Sequence, residues 1–431
     1  MIKYDSYKDS GVEWIGEIPE HWVSKNLKLS FNINKGKLPK SLTDIPNENF
    51  LPYLSMGVLR GEQPEEFSLI EDGVFVEKNE IGILWDGSNS GEVIKINQKG
   101  ILSSTVSKLS SKDNSLGDEF SYYLLKYFEP DFRLNTIGMG IPHMDGNHLK
   151  FTKLLIPPLQ EQQQIVSFLD TKTSLIDSLI EKTQRKIELL KEKRTSLINH
   201  VVTKGLNPNV ELKDSGVEWI GEIPIHWENV KVKYFVSFDS GFSFKSDDYS
   251  DDGIPLIRIG SLYNNTLSLD RSPVFLPSEF VNEYEQFVVK VNDILISMTG
   301  TLGKRDYGYS ILYNEDFPSL LNQRVGRIRI ISKEIVLNYL MFVMLSESFL
   351  LQLFSKPTGT KQGNLSSDDI IGNYFGLPSL TEQQQIVEYL DEKTNMIDTT
   401  INKEEKRIEL LKEYRQSLIS EVVTGKIKVC D

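Results

Sequence analysis

Cysteine is almost absent from this 431-residue sequence, because Cys430 is the only one. One cysteine excludes a disulfide framework and a cysteine-based metal cluster within the chain. Long apolar runs are missing as well: no stretch approaches the ~20 residues that span a bilayer, and the first residues, "MIKYDSYKDSG", are polar. These absences predict a cytoplasmic protein that neither crosses nor enters a membrane.

Positive charge is also in short supply. The chain has 48 Lys and Arg residues against 61 Asp and Glu residues, which gives a net charge of -13. Affinity for phosphates rests mainly on clustered Lys and Arg, so this balance disfavours strong binding of nucleic acid by the chain alone. An acidic net charge still allows a local basic surface. We expect such a surface to bind nucleic acid only together with basic partner proteins.

Motifs for enzyme chemistry are missing too. "TGTLGKR" resembles a phosphate-binding loop, but Met298 stands where the first Gly is required and Arg305 where Ser or Thr is required. The Pro-Pro pair in "LIPPLQ" lacks the flanking residues of an amino-methyltransferase motif, and no glycine-rich cofactor loop follows a first strand. The five His residues have no metal-ligand spacing. We therefore predict no catalytic residues, no metal ligands and no cofactor bound by this chain.

Two internal repeats organise what is present. "KDSGVEWIGEIPEHW" begins at Lys8 and "KDSGVEWIGEIPIHW" at Lys213, with 14 of 15 positions identical. Residues 161–202 match residues 382–423 at 26 of 42 positions. The order is motif, variable region and long segment, and then the same three again. The predicted segments are 1–22, 23–157, 158–204, 205–227, 228–378 and 379–425.

Each long segment predicts one uninterrupted helix. No Gly or Pro interrupts it, and Ile recurs every eleven residues, at Ile165, Ile176, Ile187 and Ile198 and again at Ile386, Ile397, Ile408 and Ile419. An eleven-residue repeat has ~3.67 residues per turn, so two such helices can pair with little supercoiling. About 44 residues form a rod of roughly 65 Å. With a narrow Ile stripe and dense charge elsewhere, such a rod is expected to pair with its twin.

The repeat also predicts how the helices pair. Related halves normally associate through a twofold-like axis, so we expect an antiparallel coiled coil with pseudo-twofold symmetry. The fifteen-residue motif near the N-terminus would then lie against the end of the second helix, which brings the chain termini together. We call this motif the latch. Its expected apolar contacts are Trp14, Ile18, Pro19 and Trp22, and in the second copy Trp219, Ile223, Pro224 and Trp227.

The two variable regions predict mixed α/β domains with considerable strand. Short β-branched or aromatic runs are punctuated by Gly, Pro, Asn and Ser in both. "DEFSYYLLKYF" and "KEIVLNYLMFVMLS" predict one helix each at corresponding places. The predicted fold class is α/β (α+β), with two such domains joined by two long antiparallel helices. A shared framework with different content is the pattern expected of two readers with different targets.

Candidate DNA-binding residues lie beside the Gly-rich loops of both regions, because Arg, Lys, Asn, Gln and Ser side chains suit base edges and phosphates. In the first region they are Lys35, Lys37, Arg60, Ser88 and Asn89, and in the second Arg258, Lys304, Arg305, Asn322, Gln323, Arg324, Arg327 and Lys361. The alternating "RVGRIRI" fits a strand with one solvated face equally well, and the Gly-rich loops fit plain hairpin turns.

The sequence closely resembles the specificity (S) subunits of type I restriction-modification systems. The phrases that carry this resemblance are "SGVEWIGEIPEHW", "DILISMTGTLGK", "LNQRVGRI", "PPLQEQQQIVSFLD" and "PSLTEQQQIVEYLD". The resemblance implies two target-recognition domains, each reading one half of a bipartite double-stranded DNA target, with the helices as spacer. It also implies two modification subunits that bring S-adenosylmethionine chemistry at adenine N6, and motor-nuclease restriction subunits.

Two other functions stay open at this point. A stand-alone DNA adenine methyltransferase would need the cofactor loop and catalytic tetrapeptide that are missing. A non-catalytic coiled-coil adaptor explains the helices, but it does not explain two divergent domains on matched frameworks.

Overall fold

The computed structural model describes residues 3–112, 115–271, 273–301, 303–356 and 362–429. The chain divides into two compact units. The first comprises residues 1–183 with 406–431, and the second residues 184–405. Each unit therefore contains one variable domain and part of each long helix.

Among the described residues of the first half, short strands and four short or medium α-helices precede one long α-helix. In chain order these are β1 (Tyr7–Asp9), β2 (Glu17–Pro19), β3 (Val23–Asn26), α1 (Leu27–Ser30), β4 (Phe31–Lys35), β5 (Phe50–Leu54), α2 (Met56–Leu59), β6 (Phe67–Leu69), β7 (Phe75–Val76), β8 (Ile81–Leu84), β9 (Val93–Lys95), β10 (Gly100–Leu102), β11 (Val106–Ser111), α3 (Asp118–Leu134), β12 (Thr136–Ile137), β13 (His143–Met144), α4 (Gly146–Phe151), β14 (Lys153–Ile156) and α5 (Leu159–Lys204).

Two four-stranded sheets form the first domain. One is antiparallel, in the order β4-β11-β8-β9, and the other is mixed, in the order β6-β5-β10-β7 with β5 and β10 parallel. Helix α3 buries Phe120, Leu124 and Phe128 in the same core as Ile81 and Ile83 of β8. Each such fully buried side chain contributes about 1.5–3 kcal/mol through removal of apolar surface from water.

The second half of the chain has the same succession of elements with a few additions. These are β15 (Leu212–Asp214), β16 (Glu222–Pro224), β17 (Glu228–Lys231), β18 (Val236–Ser240), β19 (Ile254–Ile257), β20 (Leu262–Tyr263), β21 (Thr266–Leu267), β22 (Phe275–Leu276), α6 (Phe280–Glu283), β23 (Val288–Val289), β24 (Ile294–Ser297), β25 (Thr299–Thr301), β26 (Ser310–Leu312), β27 (Ser319–Leu321), β28 (Val325–Ile330), α7 (Leu337–Leu345), α8 (Glu347–Phe354), β29 (Gln362–Asn364), α9 (Ser367–Ile371), β30 (Tyr374–Leu377) and α10 (Leu380–Val423).

The second domain repeats the strand order of the first. Its antiparallel sheet has the order β18-β28-β24-β26, and its mixed sheet the order β22-β19-β27-β23 with β19 and β27 parallel. Both domains join the long helices through an equivalent strand pair, β3 with β14 in the first and β17 with β30 in the second. The predicted α/β (α+β) class with two mixed domains is confirmed.

One predicted helix differs from the structure. Helix α3 is single and longer than the phrase that predicted it, but its counterpart in the second domain is the pair α7 and α8, bent by 60°. The break falls at Ser346, whose hydroxyl oxygen accepts a hydrogen bond from the Phe349 amide and so caps α8. Across the described residues, no single helix has the length and hydropathy to span a bilayer, and α7 and α8 meet that test only when taken together.

The long helices pair antiparallel in both units, and the eleven-residue Ile stripe is their contact. In the first unit, Ile165 near the start of α5 shares a core with Ile419 near the end of α10, and Asp177 pairs with Arg415 at 2.9 Å. In the second unit, Ile198 near the end of α5 shares a core with Ile386 near the start of α10. The start of each helix therefore meets the end of the other, as predicted.

Each latch packs against a helix end. In the first unit, Ile18 and Trp22 are fully buried with Val422 and Val423 of α10. The Tyr7 hydroxyl donates a hydrogen bond to the Gly425 carbonyl oxygen at 3.3 Å, which confirms that the two ends of the chain meet. In the second unit the buried pair is Ile223 and Trp227, packed with Val201 and Val202 of α5.

A carboxylate at the start of each long helix fixes the latch. Glu161 accepts hydrogen bonds from the Trp22 indole at 3.0 Å and from His21 Nε2 at 2.8 Å. Glu382 accepts the equivalent bonds from Trp227 and His226, both at 3.0 Å. These contacts explain why the glutamate of "EQQQIV" and the "HW" of the latch repeat together.

The outer tryptophans of the latch contribute less than expected. Trp14 is 52% exposed and Trp219 is 39% exposed. Trp14 lies on the surface of α3, with its ring 5.5 Å from the Tyr127 ring. In each latch the tryptophan at its end is therefore buried, and the tryptophan near its middle is not.

Candidate nucleic-acid interface

The two domains carry equivalent loops at the point where the chain passes from the mixed sheet to the antiparallel sheet. These are Ser103–Thr105 between β10 and β11, and Asn322–Arg324 between β27 and β28. The Thr105 carbonyl oxygen accepts a hydrogen bond from the Trp85 amide at 2.7 Å, and the Arg324 carbonyl oxygen accepts one from the Met298 amide at 3.0 Å. The backbone is thus held in the same way, while the side chains differ completely.

Glycine fixes the position of both loops. A Cβ atom on Gly36 would lie 2.1 Å from the Ser103 carbonyl oxygen, and one on Gly241 would lie 2.1 Å from the Leu321 carbonyl oxygen. No side chain fits at such a distance, so the residue that directly follows β4 or β18 must be glycine for the chain to pass the loop. This close approach places the segment "NKGK" of the first domain and "DSGF" of the second beside their loops.

In the second domain, four of the predicted residues line one cleft of about 610 Å³. They are Arg258, Asn322, Gln323 and Arg324. Arg258 follows β19 directly, and its amide donates to the Ser261 hydroxyl at 3.2 Å. Guanidinium groups beside amide side chains suit guanine and adenine edges and backbone phosphates. We call this site the second-domain cleft.

Three further residues of the second-domain cleft were not found from the sequence. The Arg271 guanidinium lies 4.7 Å from the centre of the Tyr263 ring, and that ring is 5.6 Å from the Tyr309 ring. Tyr263 sits on the β20-β21 hairpin, whose turn residues Asn264 and Asn265 have positive φ. The dipeptide "NN" between two short apolar runs is a hairpin signal that could have directed attention to this segment.

The second-domain cleft has both charged and neutral groups. Asp306 also lines it, so its positive charge is partly balanced. Burial raises the pKa of Tyr309, with added contributions from Tyr263 and Asp306, so its phenol is protonated at neutral pH and can donate and accept hydrogen bonds. The cleft therefore offers cationic, aromatic and neutral hydrogen-bonding groups together.

Lys304 and Arg305 are exposed on the segment after β25. The Arg305 guanidinium lies 5.4 Å from the centre of the Phe354 ring of α8. The described residues that line the second-domain cleft do not include these two. Lys361, the remaining predicted residue of this domain, lies outside the described residues.

Arg327 has a structural position that argues against contact with DNA. Its side chain is 3% exposed. The guanidinium donates to the carbonyl oxygens of Val288 at 2.7 Å and Gln286 at 2.9 Å, and it pairs with Asp239 at 2.7 Å. Arg329, two residues on, pairs with buried Asp293. Of the three arginines in "RVGRIRI", Arg327 is therefore turned toward the domain interior, which corrects the expectation that it is open to a ligand.

In the first domain, the predicted residue Lys35 belongs to a charged triad. Asp86 lies between Lys35 Nζ at 2.8 Å and His143 Nδ1 at 2.7 Å. Burial alone would raise the pKa of Asp86, but hydrogen bonds and charge from Lys35 and His143 outweigh it and lower the pKa. The Lys35 ammonium also lies 5.7 Å from the centre of the Trp85 ring. This lysine is therefore partly neutralised within the domain.

The other predicted residues of the first domain are spread over its loops. Lys37 and Ser88 are exposed. Arg60 follows α2 and pairs with Glu92 at 3.2 Å. The Asn89 side-chain oxygen accepts a hydrogen bond from Arg133 at 3.1 Å. Within the described ranges, no group of three or more His, Cys, Asp or Glu side chains is arranged to hold a metal ion.

Most of the chain matches a known protein family. Residues 19–189 and 224–410 match the family described as Type I restriction modification DNA specificity domain. The Type I restriction enzyme MjaVIII specificity subunit of Methanocaldococcus jannaschii is 33% identical over 96% of this chain and 94% of its own length. The EcoBI specificity subunit of Escherichia coli is 22% identical over 97% of this chain and 89% of its own length.

A solved structure shares the fold. It comes from work on complex assembly and conformational transition of the type I R-M system, and its TM-score is 0.69 at 16% identity, over 95% of this chain and 99% of that one. The chain belongs to the family of type I restriction-modification DNA specificity subunits. It is a non-catalytic DNA-recognition subunit, and its relatives are not stand-alone methyltransferases.

Proposed function

We propose that this chain reads a bipartite double-stranded DNA target, with one half-site for each variable domain. It acts in the cytoplasm with two modification subunits, which bind S-adenosylmethionine and methylate adenine, and with motor-nuclease restriction subunits. The chain supplies sequence recognition and no chemistry of its own.

The observation that carries this proposal is the pair of equivalent loops, Ser103–Thr105 and Asn322–Arg324, held by equivalent hydrogen bonds. A framework that keeps its backbone while changing every side chain at one place suits recognition of two different sequences. In the second domain, Arg side chains suit guanine edges, and Asn and Gln suit adenine edges. In the first domain, the loop offers hydroxyl groups and lies near the Lys35 triad. Its contacts with DNA would therefore differ from those of the second domain.

The long helices suit two copies of one partner. In the first unit, Leu175 of α5 and Leu410 of α10 are exposed, and in the second unit the exposed pair is Leu189 of α5 and Met396 of α10. Each unit thus presents the same two repeat positions, one from each helix. Exposed apolar positions that recur in this way favour docking of one modification subunit on each unit.

Helix length would set the number of unread base pairs between the half-sites. Removing one eleven-residue repeat from both helices shortens each by about 16 Å, so the spacer should shrink by about five base pairs. The net charge of -13 fits a complex in which the modification subunits provide much of the phosphate-binding surface.

The test is to express the chain with its modification subunits in cells without adenine methylation and to map methylated adenines. A split asymmetric motif should be present with the chain and vanish without it. Methyl transfer by the purified chain alone would instead make it an enzyme. Unchanged methylation without the chain, with assembly intact, would make it an adaptor.

A further inference from the structure

The first domain presents a small apolar hairpin to solvent. Strands β12 and β13 pair at two positions, Thr136 with Met144 and Ile137 with His143, and the chain between them forms the tip. Ile137 is 55% exposed, Met139 106% and Ile141 63%. Burial of apolar surface is the main driving force of folding, so three exposed apolar side chains on nine residues need a role outside the folded domain. We call residues 136–144 the wedge hairpin.

The base of the wedge hairpin is held firmly. The Met144 amide donates to the Trp85 carbonyl oxygen at 2.7 Å, and the Gly87 amide donates to the Pro142 carbonyl oxygen at 2.9 Å. His143 pairs with Asp86 at 2.7 Å. At the tip, Gly138 and Gly140 have φ of 111° and 101° on either side of Met139. These φ values favour glycine, and they turn Met139 outward on a fixed stem.

The residues beside the wedge hairpin place it next to the candidate DNA-binding residues of the first domain. Its base is bonded to the segment that contains Ser88 and Asn89, and its His143 shares Asp86 with Lys35. Ser88, Asn89 and Lys35 are all candidate DNA-binding residues. The tip therefore projects from the same edge of the domain as the polar groups suited to DNA.

Comparison of the two halves indicates whether the wedge hairpin contacts DNA or a protein partner. Surfaces for a shared partner recur in both halves, as the exposed apolar positions of the long helices do. The apolar sequence of the wedge hairpin does not recur: the corresponding phrase of the second half reads "PTGTKQGNL" where the first half reads "TIGMGIPHM". The two halves differ in the DNA sequence that each is proposed to recognise. A feature found in one half is therefore assigned to DNA recognition and not to a shared protein partner.

We propose that the wedge hairpin inserts Met139 between neighbouring base pairs of duplex DNA at or beside the first half-site and kinks the duplex there. This inference rests on the proposed function. Apolar wedges of Met, Ile or Leu unstack base steps in several modes of DNA binding, and the cost of unstacking is offset by buried apolar surface and new contacts. Ile137 and Ile141 flank the inserted side chain and cover the opened step.

The experiment compares matched and mismatched duplexes. The full complex with modification subunits is titrated with target duplexes that carry one mismatched pair, moved step by step through and beside the first half-site. At the inserted step a mismatch removes much of the unstacking cost, so the wild-type complex should bind that duplex about tenfold more tightly than the matched one. The Met139→Ser complex should show no such preference. Ile331→Ser, also an exposed apolar position at 67%, is the control in the second domain and should behave as wild type.

The outcomes are distinct. Equal mismatch preference in wild type and Met139→Ser, with sequence-specific binding intact, overturns the wedge and leaves the proposed function standing. Failure of Met139→Ser to assemble with modification subunits identifies the hairpin as a protein contact and also overturns it. Absence of sequence-specific binding by the wild-type complex overturns the proposed function, and the wedge with it.

Discussion

The two variable domains build the same pair of four-stranded sheets and use them differently. The second domain gathers Arg258, Arg271 and Arg324 around one cleft. At the place of Arg324 the first domain has Thr105, and its Lys35 is paired with Asp86. The difference teaches that backbone and recognition are separable here: the framework fixes where a loop lies, and the side chains set the chemistry of each site.

The charge contrast has a consequence for binding. Phosphate contacts make affinity depend on salt, and the second domain offers more cationic groups in one place than the Lys35 triad does. The first domain offers the apolar wedge hairpin instead. We therefore expect the second half-site to be read with stronger salt dependence and the first with more deformation of DNA.

The largest loss of stability is expected from substitutions in the latch, which both halves share. Trp22→Ala and Trp227→Ala each remove a fully buried indole, and each should lower the free energy of unfolding by about 3–5 kcal/mol. Denaturant unfolding of the two variants checks this. Trp14→Ala, at a half-exposed position of the same latch, should cost less than about 1 kcal/mol. A large cost in only one of the two buried variants would break the equivalence of the latches.

Arg327 and Arg324 lie three residues apart, and we expect their substitution to have different effects. Arg327→Ala leaves Asp239 and the Gln286 carbonyl oxygen without the Arg327 guanidinium as donor, so it should destabilise the chain by about 3 kcal/mol. Arg324→Ala should change stability by less than about 0.5 kcal/mol and weaken binding of the second half-site by about 1–3 kcal/mol. Thermal unfolding and DNA titration distinguish the two. Equal stability losses would contradict the assignment of Arg327 to the interior.

The charge contrast between the domains predicts unequal salt dependence. Replacing Arg271 and Arg324 with Gln should flatten the plot of log affinity against log salt by up to about 2 units, roughly one for each phosphate that is no longer neutralised. Lys35→Gln should flatten it by less than about 1 unit, because Lys35 is already paired. Titrations of the complex at several salt concentrations measure both slopes. Equal changes would remove the electrostatic difference between the domains.

The smallest effect concerns the Asp86 triad. The pKa of Asp86 is lowered in the folded chain, so the triad stabilises the fold above the ordinary pKa of a carboxyl group, about 4, and this stabilisation disappears as pH falls through the folded pKa. Asp86→Asn should cost about 0–1 kcal/mol at pH 7, as for partly exposed ion pairs, and progressively less below about pH 4. Unfolding of both proteins across this range checks the sign. A difference that grows toward acid pH would contradict it.

The sequence predicted the features that repeat. The Ile stripe, the antiparallel pairing and the meeting of the chain ends follow from an eleven-residue period and a duplicated latch, both of which are visible in one chain. Gly205 and Gly425, with φ of 74° and 71°, end the long helices where glycine favours a turn.

What the sequence did not predict depends on contacts between distant segments. The interior position of Arg327 is set by residues 286–288, whose carbonyl groups cover that face of β28. Arg271 reaches the second-domain cleft by lying over Tyr263, and nothing in the local pattern of "LDRSP" indicates this contact. Of the four predicted residues that line this cleft, Arg258 lies more than sixty residues before the other three, and the parallel pairing of β19 with β27 brings them together.

The central claim is that each domain reads its own half-site on an interchangeable framework. The direct test replaces residues 228–378 with residues 23–157, which begin and end at equivalent strands, and maps adenine methylation by the complex that contains this chimera. The account predicts a target with the first half-site on both sides of the spacer and no trace of the second. A chimera that folds, assembles and still recognises the second half-site would contradict it.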